Sequence, residues 1–250
     1  MKALIKHQGE ELTVDLAQPI DISIPMKATP ENMKAWYLDP ISIEPVRAEG
    51  FIGNVKEGGA VNFRNIQFNP HGHGTHTECL GHITEEIYSV NEHITQFFFI
   101  AQVITVSPEN KNGDQIITWN QISDSLAGKK TEAVIFRTLP NTDEKLIRQY
   151  SASNPAYIEE KVALELREMG VKHLLIDTPS VDREEDEGLL LSHHAFWNVP
   201  ENPRMDCSIT ELIYVPNEVE DGKYLLNLVF ASFENDASPS KPVLYKIQST

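Results

Sequence analysis

The chain has 250 residues, 40% hydrophobic and 23% charged, enough to bury a substantial core and ordinary for one α/β unit, so a single domain over 1–250 is expected. Lys and Arg total 21 against 37 Asp and Glu, a formal charge of −16 at pH 7, which argues against nucleic acid and anionic membrane surfaces as partners. Two cysteines are too few for a disulfide framework, no apolar run approaches the roughly eighteen residues of a membrane span, and the opening residues hold no signal-length apolar core, so a cytoplasmic protein is expected.

Alternation or short apolar runs predict strands at Leu12–Leu16, Ile22–Ile24, Val61–Phe68, Phe97–Val106, Ala133–Arg137, Leu174–Ile176, Leu212–Val215 and Tyr224–Phe233. A short helix is expected over Trp119–Leu126. A longer one is expected from Asn154 as cap, through Pro155 at the first helical position, to Met169 and a closing Gly170. With the strand at Leu174–Ile176, this helix reads as the crossover of a βαβ unit. The turn Thr178-Pro-Ser-Val-Asp182 then lies at the C-terminal end of a strand, where α/β sheets usually place their sites. The run Arg183-Glu-Glu-Asp-Glu-Gly188 reads as a solvated loop.

Four of the nine histidines fall within His71-Gly-His-Gly-Thr-His-Thr-Glu-Cys-Leu-Gly-His82, together with a carboxylate. Imidazole and carboxylate are the donors that ions such as Zn²⁺ and Mn²⁺ select, so this density points to a metal site. In an extended segment His76, Glu78 and His82 share one face, and Thr75, Thr77 and Cys79 the other. His71 and His73 have the opposite parity and join the first face only if Gly72 or Gly74 bends the chain. The isolated His7, His93 and His173 read as surface or satisfied core residues. Cys79, on the opposite face from His76, reads as a buried apolar residue rather than a soft ligand.

The run Gly74-Thr-His-Thr-Glu-Cys-Leu-Gly-His82 resembles the signature of the cyclase-type metal-dependent hydrolases, the family of bacterial kynurenine formamidase and isatin hydrolase, whose pattern is His-x-Gly-Thr-His-x-Asp-x-Pro-x-His. Leu175-Ile-Asp-Thr-Pro-Ser-Val-Asp182, then Leu191-Ser-His-His194, then Ile209-Thr-Glu-Leu212 are similar to later family elements in the same order. Flanking matches at Asp21–Met26, Trp36 with Asp39-Pro40, and Asp236–Pro239 extend the likeness over most of the chain.

The resemblance implies a single-domain α/β cyclase-like fold, with mixed β-sheets flanked by a few helices. It also implies a divalent cofactor, Zn or Mn, held by His76, Glu78, His193 and Glu211, with His82 as the catalytic acid/base. The implied reaction is hydrolysis of a carboxamide, formamide (arylformamidase-like) or cyclic imide or lactam bond in a small molecule, in a homodimer or homotetramer. Two alternatives stay open: a family member that binds a ligand or structural metal without catalysis, and a metal-dependent lyase or dehydratase.

The departures from the pattern are specific. The family's first ligand histidine falls on Gly72, its bridging aspartate on Glu78, whose extra methylene moves the carboxylate out by roughly 1.5 Å, and its proline on Leu80. The stretch Asn198–Arg204 is longer than the family's spacing. Parity disfavours both His71 and His73 as a replacement ligand, so one tightly held ion, with a second held weakly or not at all, is expected. Family order favours His193 over His194, which is left to orient a ligand carboxylate. Asp177 and Asp182 either orient ligands or cap the turn, and Trp36, Phe63 and Trp197 are candidates for a substrate pocket or for the core. Direct ligation requires His76 and Glu211 to converge; a separation above about 10 Å would exclude it, since each donor must lie roughly 2.0–2.2 Å from the ion.

Overall fold

A computed structural model describes residues 1–248 and places the longest apolar runs side by side in one mixed sheet. Phe98–Val106, Ala133–Thr138, His173–Ile176 and Ser208–Glu211 run parallel to one another. Ala133–Thr138 and His173–Ile176 are buried at every position, as strands covered on both faces must be. Along Ala133–Phe136 the side chains alternate between two cores: Val134 and Phe136 pack with Leu174, Phe196 and Trp197, whereas Ala133 and Ile135 pack with Leu175, Leu226 and Leu244.

The sheet order is Lys2–His7, Glu10–Asp15, Ala237–Gln248, Gly222–Phe230, Phe98–Val106, Ala133–Thr138, His173–Ile176, Ser208–Glu211, His76–Glu78, with Ile20–Asp21 against Ala237–Gln248. The first residues of Ala237–Gln248 also pair with the last strand, Ala237 opposite Glu78 and Pro239 opposite His76, so the pairing closes into a ring. The histidine-rich strand is thereby held on both edges. The sheet with a few flanking helices is the architecture expected from the sequence.

Helix Trp119–Leu126 matches its sequence expectation and carries a capping box between Thr118 and Gln121. The crossover helix begins later than expected, at Glu160, and ends at Glu168. Tyr157–Ile158 instead pairs with Ile116–Ile117 and buries Ile158, so strand pairing wins over the helix signal of Asn154-Pro155. The helix still links two parallel strands, as the βαβ reading requires. No strand forms over Leu212–Val215. The strand lies before it, at Ser208–Glu211; Leu212 then adopts a left-handed conformation with φ 55°, and beyond it Ile213 makes only an isolated bridge to Ser23. Among the described residues, no helix is long and apolar enough to cross a membrane.

Candidate metal centre

Asn69 accepts a hydrogen bond from the His71 N–H at 2.9 Å and, with Pro70 next in line, starts a single helical turn over Pro70–His73. Strand parity therefore does not govern His71 or His73. His71 turns inward, and its Nδ1 lies 3.1 Å from Glu78 Oε2. His73 turns away: Nδ1 accepts from the Asn69 N–H at 2.9 Å and Nε2 donates to the Asp39 carbonyl at 2.8 Å. Both nitrogens are then used, which makes His73 structural. His71 is thus the histidine that enters the centre, against the parity expectation.

Neither glycine supplies a left-handed bend, since Gly74 is extended at φ 174° and Gly72 lies within the helical turn. Gly72 is needed for space. A Cβ there would meet Leu38 Cδ1 at 2.5 Å and the Ala35 carbonyl oxygen at 3.0 Å. The segment carrying Ala35 and Trp36 docks on this backbone, with the Ala35 N–H bonded to the Gly72 carbonyl at 2.9 Å.

In the strand His76–Glu78, His76 and Glu78 share a face and are fully buried, while Thr77 faces Thr210 Oγ1 at 2.8 Å on the other side. Thr75 accepts from the Ile24 N–H at 2.7 Å and donates to the Leu212 carbonyl, clamping the strand's entry. His76 donates from Nδ1 to the Gly74 carbonyl at 3.1 Å, which aims its Nε2 lone pair inward. Glu211 stands opposite His76 in the antiparallel register, and its Oε2 lies 3.4 Å from His76 Nε2. Its other oxygen accepts from the Val181 N–H at 2.9 Å.

His193 sits in the first turn of a helix, Leu191–Trp197, that periodicity does not reveal. Asp182 accepts from the Ser192 N–H at 2.7 Å, the His193 N–H at 3.1 Å and His193 Nδ1 at 2.6 Å, so it both caps the helix and orients the imidazole. The ring then presents Nε2 at 3.2 Å from Glu78 Oε1 and 3.9 Å from Glu211 Oε1. His194 points elsewhere, with Nδ1 at 3.2 Å from the Val199 carbonyl. Asp177 is not part of the centre; it holds Lys145 Nζ at 2.7 Å and Thr138.

After Cys79 the chain enters a 3-10 turn, Leu80–His82, so His82 arrives by a turn and not along an extended face. Its Nε2 lies 3.9 Å from Glu78 Oε2, and its side chain is 32% exposed, within reach of a substrate. Cys79 is buried, with Sγ at 3.4 Å from the Tyr88 carbonyl. Asp236, which precedes the strand beginning at Ala237, reaches His71 Nε2 at 2.9 Å and His82 Nδ1 at 3.3 Å through one oxygen.

The donor set fits a divalent ion. Donors about 2.1 Å from one tetrahedral ion lie roughly 3.4 Å from each other. The contacts around Glu78, His71, His76, His193 and Glu211 fall between 3.1 and 3.9 Å. Among the described residues His76 Nε2 and Glu78 Oε2 are buried without a hydrogen-bond partner, and both face this point. Burial opposes charge on both His71 and His193. Even so, Asp236 and Glu78 hold the His71 pKa at about 10, and Asp182 and Glu78 do the same for His193. Burial likewise opposes ionisation of Glu78, but His82, His193 and His71 hold its carboxyl well below the usual range. Protons thus occupy the donors that an ion would take.

A cavity of about 310 Å³ opens on the centre, floored by His71, His82, His193 and Glu211 and walled by Trp36, Leu38 and Leu190. Arg183, Glu184 and Asp186 form its rim, so the acidic run after Asp182 is pocket wall rather than free loop. Phe63 is 57% exposed and does not line this cavity, and Trp197 is core, donating from Nε1 to the Cys207 carbonyl at 3.1 Å.

A family model described as Cyclase matches residues 14–183. No curated protein matches the chain. Among solved structures, an isatin hydrolase bound to the product analogue thioisatinate is 12% identical, with 92% of this chain and 93% of that chain covered at a TM-score of 0.67. Isatin hydrolase A from Labrenzia aggregata bound to benzyl benzoate is 16% identical, with 92% and 94% covered at a TM-score of 0.66. A predicted metal-dependent hydrolase from Bacillus stearothermophilus is 16% identical, with 91% and 98% covered at a TM-score of 0.64. These likenesses establish a shared fold.

Proposed function

The chain belongs to the Cyclase family, and we propose that it is a metal-dependent hydrolase cleaving the C–N bond of a carboxamide, formamide or cyclic imide or lactam in a small molecule. The observation that carries this reading is a pair of donor groups that share the buried Glu78, His71 with His76 and Glu78, and Glu78 with His82 and His193, each with its ligand atoms within 4.8 Å of one another, beside a pocket and with His76 Nε2 buried without a hydrogen-bond partner. An isatin hydrolase among the structural neighbours supports a cyclic amide as substrate. We assign the metal to His71, His76, Glu78, His193 and Glu211, a mixed nitrogen and oxygen set that suits Zn²⁺ or Mn²⁺.

An ion bound there supplies Lewis acidity, polarising a carbonyl oxygen and acidifying a water. The chain's own residues do the rest. Asp182 and the Gly74 carbonyl hold His193 and His76 in the tautomers that direct Nε2 inward. His82, with Nδ1–H on Asp236, keeps an Nε2 lone pair for the attacking water's proton and returns that proton to the leaving nitrogen. Trp36, Leu38 and Leu190 exclude bulk water from one side of the substrate. The test is to strip the protein with a chelator, reload it with Zn²⁺ or Mn²⁺, and screen amides, formamides, imides and lactams. Hydrolysis that returns with the metal is expected; none with any loaded form would leave a binding protein.

We also infer a homo-oligomer. Ile66 lies in Arg64–Gln67, paired with Ser42–Pro45, and Val61 and Phe63 lie just before that strand; Val61, Phe63 and Ile66 are 51%, 57% and 60% exposed. Exposed apolar side chains grouped on one short segment mark a protein contact. Sedimentation of wild type and of Phe63→Asp with Ile66→Asp checks this: a dimer or larger for the first and a monomer for the second are expected, and a monomeric wild type overturns it.

A further inference from the structure

Asp236 is 154 residues from His82 and 165 from His71 in sequence, yet one of its oxygens bonds both imidazoles. The two rings stack beneath it, with centroids 4.3 Å apart and planes 27° apart. Its backbone is fixed as well, since the Cys79 N–H donates to the Asp236 carbonyl at 2.9 Å, at the exit of the ligand strand. The carboxylate therefore belongs to the same rigid unit as Glu78, and the two hydrogen bonds choose atoms. With Nε2–H on Asp236, His71 can offer only Nδ1 to the centre. With Nδ1–H on Asp236, His82 can offer only Nε2.

We propose that Asp236 is the positioning residue of this centre, tying the metal ligand His71 and the proton-transfer group His82 to one carboxylate oxygen. The inference rests on the hydrolase reading for the role of His82, but not for the tie between Asp236 and His71. It also accounts for Gly72. A ligand displaced by one residue, onto a helical turn, approaches through Nδ1 and needs a partner on its far nitrogen to hold that orientation, and Asp236 is that partner. A carboxylate that fixes an imidazole's tautomer for proton transfer is an arrangement known from hydrolytic triads. Here the same oxygen also serves a metal ligand.

The first experiment needs no substrate. Zn²⁺ affinity is measured by competition with a chromophoric chelator for wild type, His71→Ala, Asp236→Ala and the double variant. Each single change is expected to lower affinity about 10- to 100-fold, the usual effect of losing an orienting partner, and the double variant to fall no more than about threefold further. Additive losses, or wild-type affinity in Asp236→Ala, overturn the tie to His71. Wild type binding two ions with Asp236→Ala losing one would make Asp236 a ligand, which also overturns it.

The second experiment reads the His82 tie. Imidazole ¹⁵N spectra of the zinc-loaded protein are expected to show His82 protonated at Nδ1 in wild type and Asp236→Asn, and as a tautomer mixture in Asp236→Ala. The amide oxygen of Asn accepts the same two N–H groups, so Asp236→Asn should restore most of the zinc affinity too. An Asn variant no better than Ala, or an unchanged tautomer in Ala, sinks the positioning role. Should no substrate be hydrolysed by wild type, the hydrolase reading fails while both measurements still judge Asp236.

Discussion

Oδ2 of Asp182 lies 2.6 Å from Nδ1 of His193, and the same carboxylate accepts the backbone N–H groups that open the helix. One side chain therefore sets where the helix starts and which nitrogen of His193 faces Glu78. Asp182→Ala should lower metal affinity by about 10- to 100-fold, the typical effect of removing a partner that orients a ligating imidazole. Asp182→Asn keeps a helix cap and a carbonyl acceptor, so its loss should be smaller. Chelator competition on both variants checks this; equal affinity for Ala and wild type would free His193 of any need for Asp182.

His71 and His73 make a matched pair for a second prediction, being two residues apart on one turn and facing opposite ways. His71→Ala should reduce metal affinity tenfold or more, which is about 1.4 kcal/mol. His73 is buried with both ring nitrogens bonded to backbone groups. His73→Ala should therefore leave metal affinity near wild type and lower stability by roughly 1–3 kcal/mol, from stranded backbone groups. Denaturant melts and metal titrations of the two variants separate the roles, and the opposite pattern would reassign the ligand.

Much of this centre is legible in the sequence because its chemistry is concentrated in short runs. Strand parity puts His76 and Glu78 on one face, while His193 and Glu211 are named only by the resemblance to the cyclase-type hydrolases. The role of His71 is not legible by that argument. A proline and an asparagine cap convert Pro70–His73 into helix, and two-residue periodicity has no meaning there. Asp236 stands in a flank that matches the family, but its tie to His71 and His82 is not legible, since those partners lie more than 150 residues away in sequence and meet it only through the closure of the ring. Likewise, strand Ala237–Gln248 hides behind Pro239 and Pro242, which break an alternating pattern, while strand pairing takes Tyr157–Ile158 from the expected helix.

His82 separates catalysis from binding. Its Nε2 is 3.9 Å from Glu78 Oε2, the same separation as His76 Nε2, but its side chain is 32% exposed where those of His76 and His193 are buried. His82→Ala should keep metal content close to wild type and lower kcat on the amide or imide substrate by about 10²- to 10⁴-fold, the usual share of a positioned proton-transfer group. Metal analysis and steady-state kinetics of the same preparation decide it. Loss of the ion with an unchanged rate per loaded molecule would make His82 a ligand instead.

The last prediction follows from the protons that replace the ion. In the metal-free protein burial disfavours charge on His71 and His193, but the adjoining carboxylates overcome this and hold both pKa values at about 10, against 6.5 for an ordinary imidazole. Both rings are then charged at pH 7.5 and must lose their protons to ligate, so each ion bound should release up to about two protons. Metal affinity should accordingly rise with pH up to about 10. Calorimetry in buffers of different ionisation enthalpy counts those protons, and binding without release would contradict the charged apo centre. Stability runs the other way. A folded-state pKa above the unfolded value stabilises fully below about 6.5, and that stability is lost as pH rises through about 10. Thermal melts of the metal-free protein should therefore fall from pH 6.5 to 10. The zinc-loaded protein, whose rings are already deprotonated, should lack that decline, and a parallel fall in both forms would show that these two imidazoles are not its source.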